Sequence, residues 1–499
     1  MEGAIKERIR LGDLLIEAKL VTTEQVAKAV SLQSELGGRL GDRLVAAGNI
    51  SQATLDAFIH RMPSEPANIA ATKIDGSELL ALMMKLIYAD RLESVRQFTD
   101  ALKLPYAIVV DLVQMAIDRR MLQALGTRDA ENPLDLSYTF TEAGRSFALD
   151  SLKQNRYTGP APVTIDEFVN QVNLQKVTNE LVTFDQIRGG LGELTVEDRL
   201  VELVGPALNS GRAILLYGPP GNGKTSVALS FASVFTDVIY VPYAVMIEGQ
   251  IMRFYDPSIH IVLTAPPSTR DESLSFLRRE EYDARWLPCR RPFVVTGGEL
   301  TLEMLDMRLD PAANFYEAPM HVKALGGCFV IDDFGRQLVS PRNLLNRWIV
   351  PLESRFDYLK LHTGKSFTIP FEELVIFSTN LEPEELMDAA FLRRLPYKIE
   401  VGAPSREVFT RIFEKECVRR RIPLPDGLVA SIMDTLINEK GLELANYIPK
   451  FLVDQVMATC RFMGQAPHFE PRFVEYAINN LKVRRHKPLA APAAPAAAE

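Results

Sequence analysis

The chain has 499 residues, enough for three or four domains, and is 47% hydrophobic and 24% charged, an ordinary globular composition. A formal net charge of -8 without a long basic block argues against a dominant nucleic-acid footprint, and no apolar run is long enough to span a bilayer. There is no secretory segment, and the four scattered cysteines (Cys289, Cys328, Cys417, Cys460) lack metal-type spacing, so buried thiols in a cytoplasmic protein without membrane insertion are expected.

Residues 1–62 contain an internal repeat. Arg10-Leu11-Gly12-Asp13 returns 29 residues later as Arg39-Leu40-Gly41-Asp42, and the match continues through Leu15/Leu44, Val21/Ile50, Val26/Leu55 and Val30/Ile59. Each unit reads as a short helix, a turn and a second helix, two units sharing one core. The pattern resembles the N-terminal domain of type II secretion and type IV pilus ATPases, in the subset that binds cyclic di-GMP. Those domains carry two 24-residue motifs beginning Arg-Leu-Gly and separated by five residues, here Arg10 to Gln33 and Arg39 to Met62. The resemblance implies cyclic di-GMP contacts from Arg10, Leu11, Gly12, Gln33, Arg39, Leu40, Gly41 and Asp42. Arginine suits phosphates or guanine faces, and glycine permits close backbone approach. Leu15, Val26, Val30, Leu44, Leu55 and Ile59 are expected to offer apolar surface to the bases. Lys19 stands where the first motif usually has Gly, and Met62 where the second usually has Gln. The other reading is a helical docking module in which Arg10 and Arg39 are surface caps.

Residues 63–76 read as a linker. Residues 77–157 show three helical patterns and then a small hairpin, which suggests a winged helix. Ten basic against twelve acidic residues between Asp75 and Arg156 favour protein contact over DNA reading. Residues 158–206 form a connector that opens on the stiff Thr158-Gly159-Pro160-Ala161-Pro162 and then turns helical.

From 207 to 403 the chain carries its strongest motif. Ala213 to Tyr217 reads as a buried strand, and Gly218-Pro219-Pro220-Gly221-Asn222-Gly223-Lys224-Thr225, followed by Ser226, opens a helix. Glycines there let consecutive N–H groups turn toward phosphate oxygens, Lys224 reaches the outer phosphates and the Thr225 hydroxyl ligates Mg²⁺. About 100 residues on, the apolar strand Gly327 to Ile331 ends in Asp332 and Asp333, the first suited to the metal and the second to polarising water. A further apolar strand, Leu374 to Thr379, ends in Asn380, which can orient that water. Arg393 and Arg394 follow on a short helix, and either can reach a neighbour's γ-phosphate.

That order, closed by a helical segment from 404 to 483, resembles the AAA+ ATPase family over roughly 195–482. The resemblance implies a five-stranded parallel α/β domain with a helical lid, assembled as a hexameric ring that binds ATP with Mg²⁺. Lys224 and Thr225 then stand in Walker A, Asp332 and Asp333 in Walker B, Asn380 at sensor 1 and Arg393 or Arg394 as the arginine finger. Asp333 stands where the family usually has Glu, and Lys450 is the candidate for the usual sensor 2 Arg; both departures favour slow, switch-like turnover. The tail, 484–499, is expected to be disordered.

The expected fold class is therefore multidomain, α and α/β. The expected function is a cyclic di-GMP-responsive ATP hydrolase remodelling an unidentified protein client, with pilus or secretion machinery suggested by the N-terminal resemblance alone. Its rivals are a transcription regulator using the winged helix and a scaffold that does not hydrolyse ATP.

Overall fold

The computed structural model describes residues 9–127, 136–192, 194–263 and 282–481. The repeat emerges as two copies of one helical hairpin: α1 (Leu11–Glu17) with α2 (Thr23–Leu36), then α3 (Leu40–Ala46) with α4 (Gln52–His60). Thr22 and Ser51, one repeat apart, cap the longer helices by accepting from the Gln25 and Thr54 amides. Each short helix is followed by a left-handed residue, Lys19 at φ 55° and Gly48 at φ 71°. The turn is therefore built for glycine, and Lys19 bears a steric cost there. Lys19→Gly should stabilise the chain by about 1 kcal/mol, read as a raised denaturation midpoint. An unchanged or lower midpoint would contradict this.

The module is docked, and 63–76 does not behave as the expected free linker. Leu14, Leu15, Leu44, Leu55 and Phe58 share one buried cluster with Phe168, Tyr240, Tyr282 and Trp286. Arg61 Nη1 lies 2.6 Å from Asp237 Oδ2, Gln171 Nε2 donates to the Arg61 carbonyl, and the Asp283 amide donates to the Pro63 carbonyl. Pro63 and Pro66 are buried. A Pro-containing stretch mimics a linker in sequence, yet its rings pack as well as any apolar side chain.

Three helices follow, α5 (Gly76–Asp90), α6 (Val95–Leu102) and α7 (Tyr106–Asp118), then an antiparallel ribbon of β1 (Leu122–Thr127) and β2 (Leu136–Phe140), and α8 (Glu142–Gln154). Three helices before a ribbon is the expected order. Residues 128–135, between β1 and β2, lie outside the described residues, as does the tail expected to be disordered. Leu80, Met83, Phe98, Ile108 and Leu112 fill the core.

The expected connector is structural as well. β3 (Val163–Thr164) begins it, and α9 (Ile165–Leu174), α10 (Phe184–Gly190) and α11 (Asp198–Ser210) follow. Beyond them come β4 (Ile214–Tyr217), α12 (Lys224–Ser230), β5 (Val238–Pro242), β6 (Ala244–Ile247), β7 (Gln250–Arg253), β8 (Trp286–Arg290), β9 (Phe293–Thr296), β10 (Arg308–Asp310), β11 (Phe315–Glu317) and α13 (Met320–Lys323). Next are β12 (Cys328–Ile331), α14 (Pro341–Ser354), β13 (Phe356–Lys360), β14 (Ser366–Pro370), β15 (Leu374–Thr379), α15 (Pro383–Leu386), α16 (Ala389–Leu392) and β16 (Tyr397–Glu400).

The main sheet has the order β16-β4-β15-β12-β9, with β4, β15, β12 and β9 mutually parallel. Cys328–Ile331 and Leu374–Thr379 are buried at every position, as strands covered on both faces must be. The register aligns Tyr217 with Thr379, and Ile331 with Phe377 and Thr296, so the carboxyl ends of these strands fall within two residues of one another at one end of the sheet. The sequence reading missed a second, mixed sheet, β10-β11-β7-β6-β3, and the β13–β14 hairpin.

The C-terminal helices form a separate core: α17 (Arg406–Arg420), α18 (Leu428–Asp434), α19 (Tyr447–Phe462) and α20 (Pro471–Asn479), closed over Phe409, Phe413, Leu436, Val453 and Phe473. The described residues thus divide into two compact units. Residues 218–224 and those from 400 onward belong to one, and 199–217, 225–399 and the N-terminal segments up to 192 to the other. Among the described residues no helix is long and apolar enough to cross a membrane.

Candidate functional site

In the larger unit the carboxylate cluster sits where a doubly covered parallel sheet presents its ligands, at the carboxyl ends of the strands. Thr225 Oγ1 donates to the Asp332 carboxylate, 3.0 Å from Oδ1 and 2.9 Å from Oδ2. The Asp332 amide donates to the Thr296 carbonyl at 2.8 Å, which ties the strand end to its neighbour β9. Asp333 then turns left-handed, φ 47°, and its side chain accepts from Asn380 Nδ2 at 3.0 Å. The Phe334 amide donates to Ser378 and Thr379 Oγ1 donates to Phe334, so the ends of β12 and β15 are stitched together beside that pair. Four predicted residues, Thr225, Asp332, Asp333 and Asn380, are thus brought together. Gln337, which sequence reasoning missed, steadies the turn by donating Nε2 to the Asp332 carbonyl at 3.0 Å.

Asp388 caps α16 by accepting from the Phe391 amide. Of the two candidate arginines that follow it, Arg394 pairs through Nε with Glu353 on α14 at 3.1 Å, whereas Arg393 is exposed.

In the smaller unit the loop 218–224 is curled as its glycines require, with φ 133° at Gly218, 85° at Gly221 and 87° at Gly223. A Cβ on Gly218 would lie 2.7 Å from the Val401 carbonyl oxygen, so glycine is needed there twice over. Lys224, 5% exposed, donates Nζ to the Gly218 and Pro219 carbonyls at 2.8 and 2.9 Å. Asn222 is buried, Pro219 and Pro220 are exposed, and Ser226 on α12 is exposed. Lys450, the sensor 2 candidate, is exposed on α19, and it is Asn446 and Tyr447 at the start of that helix that meet the loop. Nothing in the local sequence marked them, because the contact joins residues 224 apart.

The N-terminal motif residues divide differently from expectation. Arg10 and Arg39 are both exposed and both precede a short helix at its N-cap position, with no side-chain capping bond. The two motifs meet: a Cβ on Gly12 would lie 2.8 Å from Val26 Cγ1 and 3.2 Å from Leu40 Cδ2. Gly12 and Gly41 are buried, and a Cβ at either would meet Val26, Leu40 or Leu55. Leu15, Leu44 and Leu55 are core residues at 2% exposure or less, and so are not surface for bases, while Val26, Val30 and Ile59 are half-buried. Leu11 is buried and Leu40 half-buried. Gln33 is buried and spends its Nε2 on the Gly38 carbonyl at 2.9 Å, whereas Asp42 is exposed. Arg10, Arg39 and Asp42 are exposed, and most of the motif's apolar residues hold the module together.

All four cysteines are buried free thiols, and no group of three or more metal-ligating side chains occurs among the described residues.

Residues 405–480 match a family described as a domain of unknown function, DUF8689. The chain is 27% identical over 220 residues to the 26S proteasome regulatory subunit 8 homolog B of Arabidopsis thaliana, covering 41% of this chain and 50% of that protein. It is 28% identical over 216 residues to the proteasome-activating nucleotidase of Methanospirillum hungatei, covering 40% of this chain and 50% of that one. The chain thus spans about half the length of the curated relatives it matches. Among solved structures it is similar to the FIGL-1 AAA domain in complex with ADP, at 16% identity, 61% coverage of this chain, 80% of that one and a TM-score of 0.31. The sequence matches, the strand order and the motif placement together give an AAA+ ATPase-like fold.

Proposed function

We propose that this chain binds ATP with Mg²⁺ and hydrolyses it to remodel a protein partner, under the control of cyclic di-GMP at the N-terminal repeat. The observation that carries the reading is the Thr225 hydroxyl on both oxygens of Asp332 beside the Asp333–Asn380 pair. A hydroxyl and a carboxylate are oxygen donors of the kind Mg²⁺ takes, so Thr225 and Asp332 fit the ion, which when bound neutralises phosphate charge. Lys224 exchanges its two loop carbonyls for phosphate oxygens. Asp333 accepts the proton of the attacking water, and Asn380 holds that carboxylate in place. Arg393 of a neighbouring copy in a ring stabilises the charge that develops on the transferred group. Asp333 is one methylene shorter than glutamate, which favours slow turnover.

The names of the relatives support a protein client over a nucleic acid, as does the acidic balance of 77–157. For control, the paired Arg10 and Arg39 offer two cationic anchors to a ligand with two phosphates. The docking of their module onto the Tyr240 and Trp286 region supports a path from ligand to ATPase unit. A ligand shifts such an equilibrium only by its differential affinity for the two states.

Calorimetric titration of the full chain with cyclic di-GMP tests the control. Binding is expected for the wild type, weakened about tenfold or more in Arg10→Ala and in Arg39→Ala, because each loses a charge-assisted contact. No heat in the wild type, or wild-type affinity in both variants, would remove the signalling part of the reading.

A further inference from the structure

We propose that Asn446 is a positioning residue of the phosphate loop, holding its backbone amides aimed at the nucleotide. The proposal rests on the ATP reading above. Asn446 Nδ2 donates to the Asn222 carbonyl at 2.7 Å, the Asn446 amide donates to Asn222 Oδ1 at 3.3 Å, and the Tyr447 amide donates to the Gly221 carbonyl at 3.1 Å. Two successive loop carbonyls, 221 and 222, are thereby turned toward the start of α19. In a trans peptide the N–H of the next residue points the opposite way. The amides of Asn222 and Gly223 are therefore turned away from α19 together, which is how a loop builds a concave anion site.

The choice of residues in the loop makes this orientation matter. Pro219 and Pro220 have no N–H to give, so beyond Gly218 the loop's donors begin at Gly221, and two of those amides are aimed by α19. Gly221 sits at φ 85°, and a Cβ there would collide with the Tyr447 ring, so the close approach is used to place the helix start on the loop. The contact also leaves Asn222 Nδ2 and Asn446 Oδ1 buried without partners. That cost is not expected of a contact serving packing alone.

The test uses the full chain as wild type, Asn446→Asp and Asn446→Ala, with ATP binding followed by a fluorescent ATP analogue and turnover by phosphate release. Asn446→Asp keeps the shape and replaces the donor with an acceptor facing the Asn222 carbonyl. Binding of the analogue and KM for ATP should each worsen about tenfold, with kcat within about twofold of wild type, because the loss falls on ground state and transition state alike. Asn446→Ala should show the same split, and both variants should keep the nucleotide-free melting midpoint of the wild type. Wild-type affinity in both variants overturns the proposal while leaving the ATP reading intact. So does a fall in the nucleotide-free midpoint without a change in KM, which would mark ordinary lid packing. A wild type that binds no ATP removes the ATP reading itself and the proposal with it.

Discussion

Lys224→Ala is expected to lower ATP turnover by roughly 100-fold or more, the scale on which single preorganised charges act on developing phosphate charge. The ammonium group is already committed to the loop, donating to the Gly218 and Pro219 carbonyls from a position 5% exposed. Alanine thus removes the ammonium proposed to bind phosphate and releases two carbonyls that the side chain holds. The nucleotide-free protein should lose about 1.5–3 kcal/mol, the scale of lost hydrogen bonds to a charged group. Phosphate release measured beside a denaturation curve separates the two effects. Unchanged turnover with reduced stability would show Lys224 to be structural, and the ATP reading would fall.

The second large effect lies away from the site, in the support of the main sheet. Asp357, 1% exposed, accepts from Arg347 Nη1 at 2.6 Å and Nη2 at 2.8 Å and from His321 Nε2 at 2.9 Å, against the rings of Trp348 and Phe371. Burial pushes the Asp357 carboxyl up, but hydrogen bonds from His321 and Arg347 outweigh it and hold it below its ordinary value. Burial lowers His321, against the opposing pull of Asp357. Asp357→Asn removes two charge-assisted bonds from the half-buried Arg347, which keeps Asp306 at 3.3 Å, and should cost about 2–3 kcal/mol, read as the loss in unfolding free energy. A loss below about 1 kcal/mol would show that water reaches the pair.

The pH dependence of this cluster follows from the same directions. Both groups have depressed values in the folded chain, so both contributions are lost as pH falls. His321 begins to lose its share below the ordinary histidine value of 6.5, and Asp357 below the ordinary 3.8. Glu373 acts in the opposite sense. Neither of its buried carboxylate oxygens is hydrogen-bonded, and burial raises its carboxyl well above 4.5, so its contribution is lost as pH rises through that raised value.

Much of the fold was legible in the chain because its signals are local. The 29-residue offset survives as paired caps at Thr22 and Ser51 and paired left-handed turns at Lys19 and Gly48. The apolar runs before Gly218, Asp332 and Asn380 became β4, β12 and β15. What escaped is non-local. The mixed sheet is assembled from strands of two to four residues between Val163 and Glu317, too short for any period to show. The packing of Gly12 and Gly41 against Val26, Leu40 and Leu55 was not legible, because a small residue looks the same in sequence whether a ligand or a neighbouring helix approaches it. Asn446 carried no signal, since its worth comes from a loop more than two hundred residues upstream.

The most direct test of the central claim is phosphate release from ATP by the full chain, compared with and without Mg²⁺ and with the Thr225→Ala variant. The account predicts turnover that requires Mg²⁺ and falls roughly 100-fold without the Thr225 hydroxyl, which shares the ion with Asp332. A wild-type rate that is no faster than the variant's, or that is indifferent to Mg²⁺, would contradict it.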